Sequence, residues 1–299
     1  MKLTSLHLLL TYACTFECEH CFVWGSPRQS GTMTLRDIRH ILRQGQELGT
    51  VESIYFEGGE PFLYFPVLAR GVQDAAEQGL RTGAITNCYW ATDPGDAVEW
   101  LRGFGGALHE LWVSSDLYHA SEELCREVRH AMAAAAELGI SCFTLTVAQP
   151  AEMAVSAKGQ LPEGKSEVMY RGRATRKLAL EARQHPWQDF TACPHEDLRE
   201  PGRVHVDPFG HLHLCQGLSI GNLYRAPLRD ICAAYDPDSH PIVGPLLRGG
   251  PAGLVRHYGL AHRDSYADAC HECHEARLAL RERFPEVLGP DGMYGVGIG

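Results

Sequence analysis

Basic residues are scarce in this chain. Lysine and arginine number 27 against 37 aspartates and glutamates, a formal net charge of −10. No basic stripe is available to neutralise phosphates, which excludes a nucleic-acid partner. No apolar run reaches the length of a membrane span. Low-complexity tracts are missing as well, and only the glycine-rich tail from Gly292 onward reads as flexible. The opening residues imitate a short secretion signal ending at Cys14, but the apolar part is too brief and His7 interrupts it. The expectation is a cytoplasmic protein with no membrane partner.

Cysteine, by contrast, is plentiful: the chain has 299 residues and 11 cysteines. A chain of this length buries a sizeable core and has no need of a disulfide framework. Clustered cysteines in a reducing compartment bind metal or do chemistry. Cys14, Cys18 and Cys21 crowd the start, and Cys193, Cys215, Cys270 and Cys273 lie in the last third. Cys88, Cys125, Cys142 and Cys232 stand alone.

The first half repeats one unit. "LHLLLTY" reads as a buried strand, and "TLRDIRHILRQGQELG" as a helix capped by Thr34 with Asp37 as its box partner and stopped by Gly49. Strand "ESIYFEGG", a helix opening at Pro66, strand "TGAITN", a helix around Ala97 to Leu101, strand "ELWVSSD", a helix capped by Ser121 and strand "SCFTLTVA" follow. A sixth strand is expected in "EVMYRG", around Val168. Such alternation means a parallel sheet with helical crossovers, hence an α/β fold: a partial (β/α)6 TIM-like barrel over residues 1–185. The pattern breaks near residue 150, where "AQPAEMAVSAKGQLPEGKSE" loses periodicity and reads as loop. From about residue 190 prolines, glycines, histidines and cysteines take over, and "RVHVDPFGHLHLC" reads as a hairpin turning at Asp207 to Gly210. Residues 186–299 are expected to form a small cysteine-rich second domain.

Cys14-x3-Cys18-x2-Cys21 follows the first strand directly, at the barrel rim where sites gather. Three thiolates suit an iron–sulfur cluster and leave one metal position open. The alternative is a zinc knuckle completed by His20 or a distant residue. With this spacing the sequence resembles the radical S-adenosylmethionine (SAM) enzymes; His20 stands where that family usually has an aromatic residue, and Phe22 follows. A second motif, "FEGGEP", ends the second strand. In the family this loop, here Gly58, Gly59, Glu60 and Pro61, holds the methionine amino group; glycines allow close approach and a carboxylate or carbonyl accepts from ammonium. The resemblance further implies polar contacts to the cofactor from Thr86 and Asn87 and from Ser114, Ser115 and Asp116. It points to Arg171 or Arg173 for the methionine carboxylate. Tyr89, Trp90, Tyr118 and His119 are candidates for a substrate wall, and Cys88 for a hydrogen-atom donor.

The late cysteines form a second group. Gly210-x4-Cys215, with Cys193 before it and Cys270-x2-Cys273 after, resembles the SPASM and twitch extensions of the same family. Four ligands imply one auxiliary [4Fe-4S] cluster with no open position, an electron conduit. Zinc remains the alternative, with His205, His211, His213, His271 and His274 nearby in sequence and Cys232 as a substitute ligand.

The resemblance implies a [4Fe-4S] cluster on Cys14, Cys18 and Cys21 that chelates SAM and reductively cleaves it to a 5′-deoxyadenosyl radical. The radical then takes a hydrogen atom from a substrate carbon. A reducing partner such as ferredoxin or flavodoxin is implied too. A small molecule or cofactor precursor is the first expectation for the substrate. The start of the first strand so near Met1 leaves no room for a peptide-recognition domain, yet a peptide maturase is the alternative. A non-catalytic iron–sulfur carrier is a further one, and the GGEP loop speaks against it.

Overall fold

The computed structural model describes residues 1–120, 122, 124–149 and 166–297. Four strand–helix units and a fifth strand open it, in the expected order: β1 (Leu3–Thr11), α1 (Leu35–Leu48), β2 (Ser53–Gly58), α2 (Phe65–Glu77), β3 (Arg81–Thr86), α3 (Pro94–Arg102), β4 (Glu110–Ser114), α4 (Arg126–Glu137) and β5 (Ser141–Leu145). The local signals explain the boundaries. The Thr34 side chain accepts from Asp37 N, and Asp37 returns a bond to Thr34 N at 2.8 Å. Gly49, at φ 74°, ends that helix in the left-handed region that glycine tolerates. Ser121, expected to cap α4, lies outside the described residues; α4 starts after Cys125.

Strands β1 to β5 pair in parallel, each beside the next. β1 is the apolar centre: Leu6, Leu8, Leu9 and Leu10 are fully buried, as a parallel strand covered on both faces requires. The architecture is the expected partial barrel of mixed α/β class.

The sixth strand is elsewhere than expected. The segment around Val168 forms no strand; Ser166 alone makes a parallel bridge to Val147. The backbone after it serves the cysteine loop instead. Arg173 N–H donates to Cys21 O at 3.0 Å, and Gly172, at φ 60°, passes so close that a Cβ would stand 2.5 Å from that same oxygen. The sixth parallel strand flanks β1 on its other side. After the two-residue β6 (His185–Pro186) comes β7 (Gly202–Val206), parallel to β1, then antiparallel β8 (His211–Cys215) and β9 (Leu218–Asn222). The sheet order is β5-β4-β3-β2-β1-β7-β8-β9. The hairpin about Asp207 is therefore present, but it extends the barrel sheet, and one hydrophobic cluster runs from Leu3 through Leu212 to Tyr294.

Helices α5 (Ala174–Lys177), α6 (Leu228–Ala234), α7 (Val243–Tyr258) and α8 (Ala269–Leu280) complete the chain, with β10 (Ser265–Tyr266) pairing β6. The tail, expected to be flexible, is anchored as far as Tyr294. That ring is fully buried against Gly217, where a Cβ would collide, and its hydroxyl donates to Gly217 O at 2.8 Å. Among the described residues no helix is long and apolar enough to cross a membrane.

Candidate active site at the strand ends

β1 stops at Thr11 and the chain enters the cysteine loop. Backbone bonds shape it: Cys14 N–H donates to Ser26 O at 3.1 Å and Cys21 N–H to Cys18 O at 3.1 Å. Arg173 staples it from behind. Its guanidinium, nearly fully buried, donates to Cys18 O at 2.7 Å and Gly25 O at 2.8 Å. The thiols receive donors of their own: Phe16 N–H to Cys14 Sγ at 3.4 Å, Gly25 N–H to Cys21 Sγ at 3.2 Å, and Asn87 Nδ2 to Cys14 Sγ at 3.6 Å. Such donors favour thiolates. Burial opposes them more strongly and pushes the Cys14 thiol up to about 12 and the Cys18 thiol higher still, helped by the neighbouring sulfurs. Only a cation among the three sulfurs reverses that penalty, so the donor set fits a metal cluster.

The glycine loop is bonded to the cysteine loop. Gly59 N–H donates to Thr11 O at 2.6 Å and Glu60 N–H to Ala13 O at 2.8 Å. A Cβ on Gly59 would overlap Ala13 O, so glycine is obligatory at this crossing. Glu60 does not face the open space. Its Oε1 accepts from Phe62 N at 3.0 Å and Thr86 Oγ1 at 2.9 Å, and its Oε2 from Asn87 N at 2.8 Å. Expected to meet an ammonium, it instead fastens the ends of β2 and β3 together, and Pro61 opens the short helix behind it. The groups of this loop that remain open are the glycines.

A cavity of about 310 Å³ lies over these loops. Its wall includes all three early thiols, Gly58 and Gly59. The ends of β3 and β4 add Thr86, Asn87, Ser114 and Asp116, and Arg171 closes one side. Ser115 lies in a second cavity of about 220 Å³ that shares Asn87, Ser114, Asp116 and His119 with the first. Tyr89 lines that neighbour too, whereas Trp90 stacks on Phe62 in the core with centroids 4.5 Å apart. Cys88 is fully buried, its sulfur 4.0 Å from Thr86 O, and lines neither space.

Two polar side chains, His20 and Glu57, enter the cavity without having been assigned to the cofactor, beside Asp116, which was. His20 packs on Tyr118 and edge-on against His119, with its Nδ1 buried and unpartnered. Burial lowers the His20 imidazole to about 4 and so keeps it neutral. Asp116 is buried, which works against its charge, but a 2.8 Å bond from His119 Nδ1 holds the carboxyl low. Glu57 also reaches the cavity, although a neighbour of the glycines. Burial opposes its charge, but His205 and His7 outweigh that and hold the carboxyl well below its usual range; its Oε1 lies 3.1 Å from His205 Nε2 and 2.8 Å from His7 Nδ1. The signal was in the sequence: His7 and Glu57 are polar residues inside apolar strands, and His205 faces His7 in register on β7.

The late cysteines converge. Cys193, Cys215, Cys270 and Cys273 surround a space of about 30 Å³ together with Arg171 and Arg277. Asp268 caps the helix that carries Cys270 and Cys273 by accepting from His271 N at 2.7 Å. Arg171 spans both cavities: its Nη1 stands 3.5 Å from Cys215 Sγ and 3.3 Å from Glu196 Oε1, and its guanidinium covers Phe22. Cys232 sits apart beside the amino terminus of the chain.

Comparison with known proteins agrees with this geometry. Residues 8–153 match the family model of the radical SAM superfamily. A putative peptide biosynthesis protein, YydG of Bacillus subtilis, is 25% identical over 117 residues, 39% of this chain and 37% of its own. An S-adenosylmethionine-dependent nucleotide dehydratase of Selenomonas ruminantium is 33% identical over 83 residues, 28% of this chain and 29% of its own. The chain thus spans about a third of the curated relatives it matches. Among solved structures, Streptococcus suis SuiB bound to its precursor peptide SuiA superposes with a TM-score of 0.54 at 13% identity, covering 90% of this chain and 76% of that one. That likeness establishes the fold.

Proposed function

This chain carries a radical SAM domain, and from that premise we propose that it binds a [4Fe-4S] cluster on Cys14, Cys18 and Cys21 and cleaves SAM to start hydrogen abstraction from a substrate carbon. The observation that carries the reading is the single cavity whose wall unites three thiols, the Gly58–Gly59 crossing and the polar ends of β3 and β4. When bound, the cluster and SAM supply one-electron cleavage of the sulfonium and the radical that abstracts hydrogen. The protein's own residues do the rest. The Gly58–Gly59 backbone on the cavity wall is the proposed partner of the ammonium, and Thr86, Asn87, Ser114 and Asp116 are the proposed partners of the hydroxyls and carboxylate of the nucleoside and methionine parts. Arg171, also on the cavity wall, offers a cation to that carboxylate. Burial of the cavity floor excludes water from a reactive species.

Cys193, Cys215, Cys270 and Cys273 are assigned to one auxiliary [4Fe-4S] cluster, held by residues 186–299 against a catalytic part in 1–185. Two buried guanidiniums, Arg171 and Arg277, offset the negative charge of such a cluster. A ferredoxin or flavodoxin is assigned as reductant.

For the substrate we favour a peptide, because one relative is named for peptide biosynthesis and one fold neighbour holds a precursor peptide. The nucleotide dehydratase favours a small molecule as the second reading. Anaerobic reconstitution, then dithionite and SAM, tests the core of the proposal: 5′-deoxyadenosine is expected, and its absence with full iron loading refutes catalysis. Its stimulation by short peptides encoded beside the gene, rather than by nucleotides, selects the peptide reading.

A further inference from the structure

One cluster of side chains lies outside both cysteine groups. The turn between β7 and β8 brings Asp207, His211 and His213 together beneath the end of β1. His211 and His213 alternate on β8 and so share a face, while Asp207 N–H donates to His211 O at 3.1 Å and closes the turn. Asp207 is fully buried. Its Oδ1 accepts from Phe209 N at 2.9 Å and His211 N at 2.8 Å. Its Oδ2 lies 3.1 Å from the Tyr12 hydroxyl, 3.1 Å from His211 Nδ1 and 3.3 Å from His213 Nε2.

An ordinary hydrogen-bonded Asp–His pair accounts for His211. It does not account for His213. That ring is fully buried, yet neither of its nitrogens has a hydrogen-bond partner. Nε2 is close enough to Asp207 to bond, so the failure is one of direction: the nitrogen aims beside the oxygen. A buried ring nitrogen left unmatched there is unfavourable. Two ligand atoms that stand 3.3 Å apart and aim past each other fit one edge of a coordination polyhedron. Donors about 2.0–2.1 Å from a tetrahedral or octahedral ion are roughly 3–3.4 Å apart. The three candidate ligand atoms all lie within 4.8 Å of one another.

We propose that Asp207, His211 and His213 bind a divalent transition-metal ion, zinc or an ion of similar preference, through two imidazoles and one carboxylate. The Tyr12 hydroxyl orients the carboxylate. His211 lines a cavity of about 530 Å³ that also meets Tyr12 and Phe209, which gives the ion an entry and leaves room for a further ligand. The ion ties the hairpin to Tyr12, two residues before Cys14. The inference does not depend on radical chemistry.

The test uses the full chain, reconstituted anaerobically so that its cysteines hold iron, then freed of loose metal and titrated with Zn²⁺ alone. The wild type is expected to bind one equivalent, with zinc-edge absorption showing nitrogen and oxygen neighbours and no sulfur. His213→Gln is expected to weaken binding about a hundredfold or more, with iron content unchanged. His211→Ala, on the more exposed ring, is expected to do the same and guards against a hairpin that fails to fold in the first variant. No zinc bound at tenfold excess, a sulfur shell, or wild-type affinity in His211→Ala overturns the proposal.

Discussion

Replacing Arg173 by methionine isolates the staple behind the cysteine loop. Methionine keeps a comparable stem and deletes every donor. The carbonyls of Cys18 and Gly25 then lose bonds of 2.7 and 2.8 Å in a site that water does not reach. Each bond from a charged donor contributes roughly 1.5–3 kcal/mol net. Two give about 3–6, less what the chain regains by no longer burying a guanidinium, so about 3 kcal/mol is the working figure. That is a factor of over a hundred in the equilibrium between ordered and disordered loop. Arg173 holds the loop and touches neither cavity, so the damage should appear first as metal content. Arg173→Met, reconstituted anaerobically, should lose the iron of the first site, about half of the total if both groups hold like clusters, and should form no 5′-deoxyadenosine. Arg173→Lys, able to serve one carbonyl, should fall between. Full iron and wild-type SAM cleavage in Arg173→Met would refute the reasoning.

Three further outcomes are expected. Gly59→Ala should lower SAM affinity more than tenfold in equilibrium dialysis, since its Cβ would displace the Ala13 carbonyl; Gly25→Ala, whose Cβ would find contacts at 3.3 to 3.5 Å, should be far milder. Burial lifts the Glu60 carboxyl from 4.5 to about 7 against its hydrogen bonds from Asn87, Phe62 and Thr86. With the folded value the higher one, stability is intact while the group is protonated in both states and drains as pH rises from about 4.5 through 7, by about 3 kcal/mol. Urea unfolding of the metal-free chain at a series of pH values should show this fall, and Glu60→Gln should lack it; parallel curves would count against the assignment. Cys270→Ala with Cys273→Ala should remove the late metal and spare SAM cleavage without substrate, and zinc rather than iron lost in that variant would replace the auxiliary cluster by a zinc site.

Much of the catalytic face was legible because its signals are local. A capping box, a glycine stop and apolar alternation are written within a few residues, and so α1, β2 and β3 fell where expected. The two motifs were legible as motifs, but the contact between them was not: that Gly59 N–H bonds Thr11 O depends on how β1 and β2 pair. Glu60 was misread for the same reason, since its partners Thr86 and Asn87 sit on a third strand. Arg171 and Arg173 were indistinguishable on paper; Gly172 between them turns one toward the cavities and the other into the loop backbone. The sixth strand was misplaced because an apolar run such as "EVMY" has strand propensity wherever it stands, while β7 gained its place from a vacant edge on β1 that no local pattern records.

The flank of β1 has a consequence for synthesis. Leu3 to Leu8 find one neighbour in β2 soon after emergence, but the other, β7, is translated about two hundred residues later. At roughly 5–20 residues per second that is a wait of about 10–40 seconds. Through that interval the central strand of the nascent chain presents an open hydrogen-bonding edge to whatever meets it at the ribosome. Arg173 likewise emerges only after the loop it staples, so the cysteine loop stays unfastened until more than half of the chain has been made, and a chaperone has a defined window in which to act.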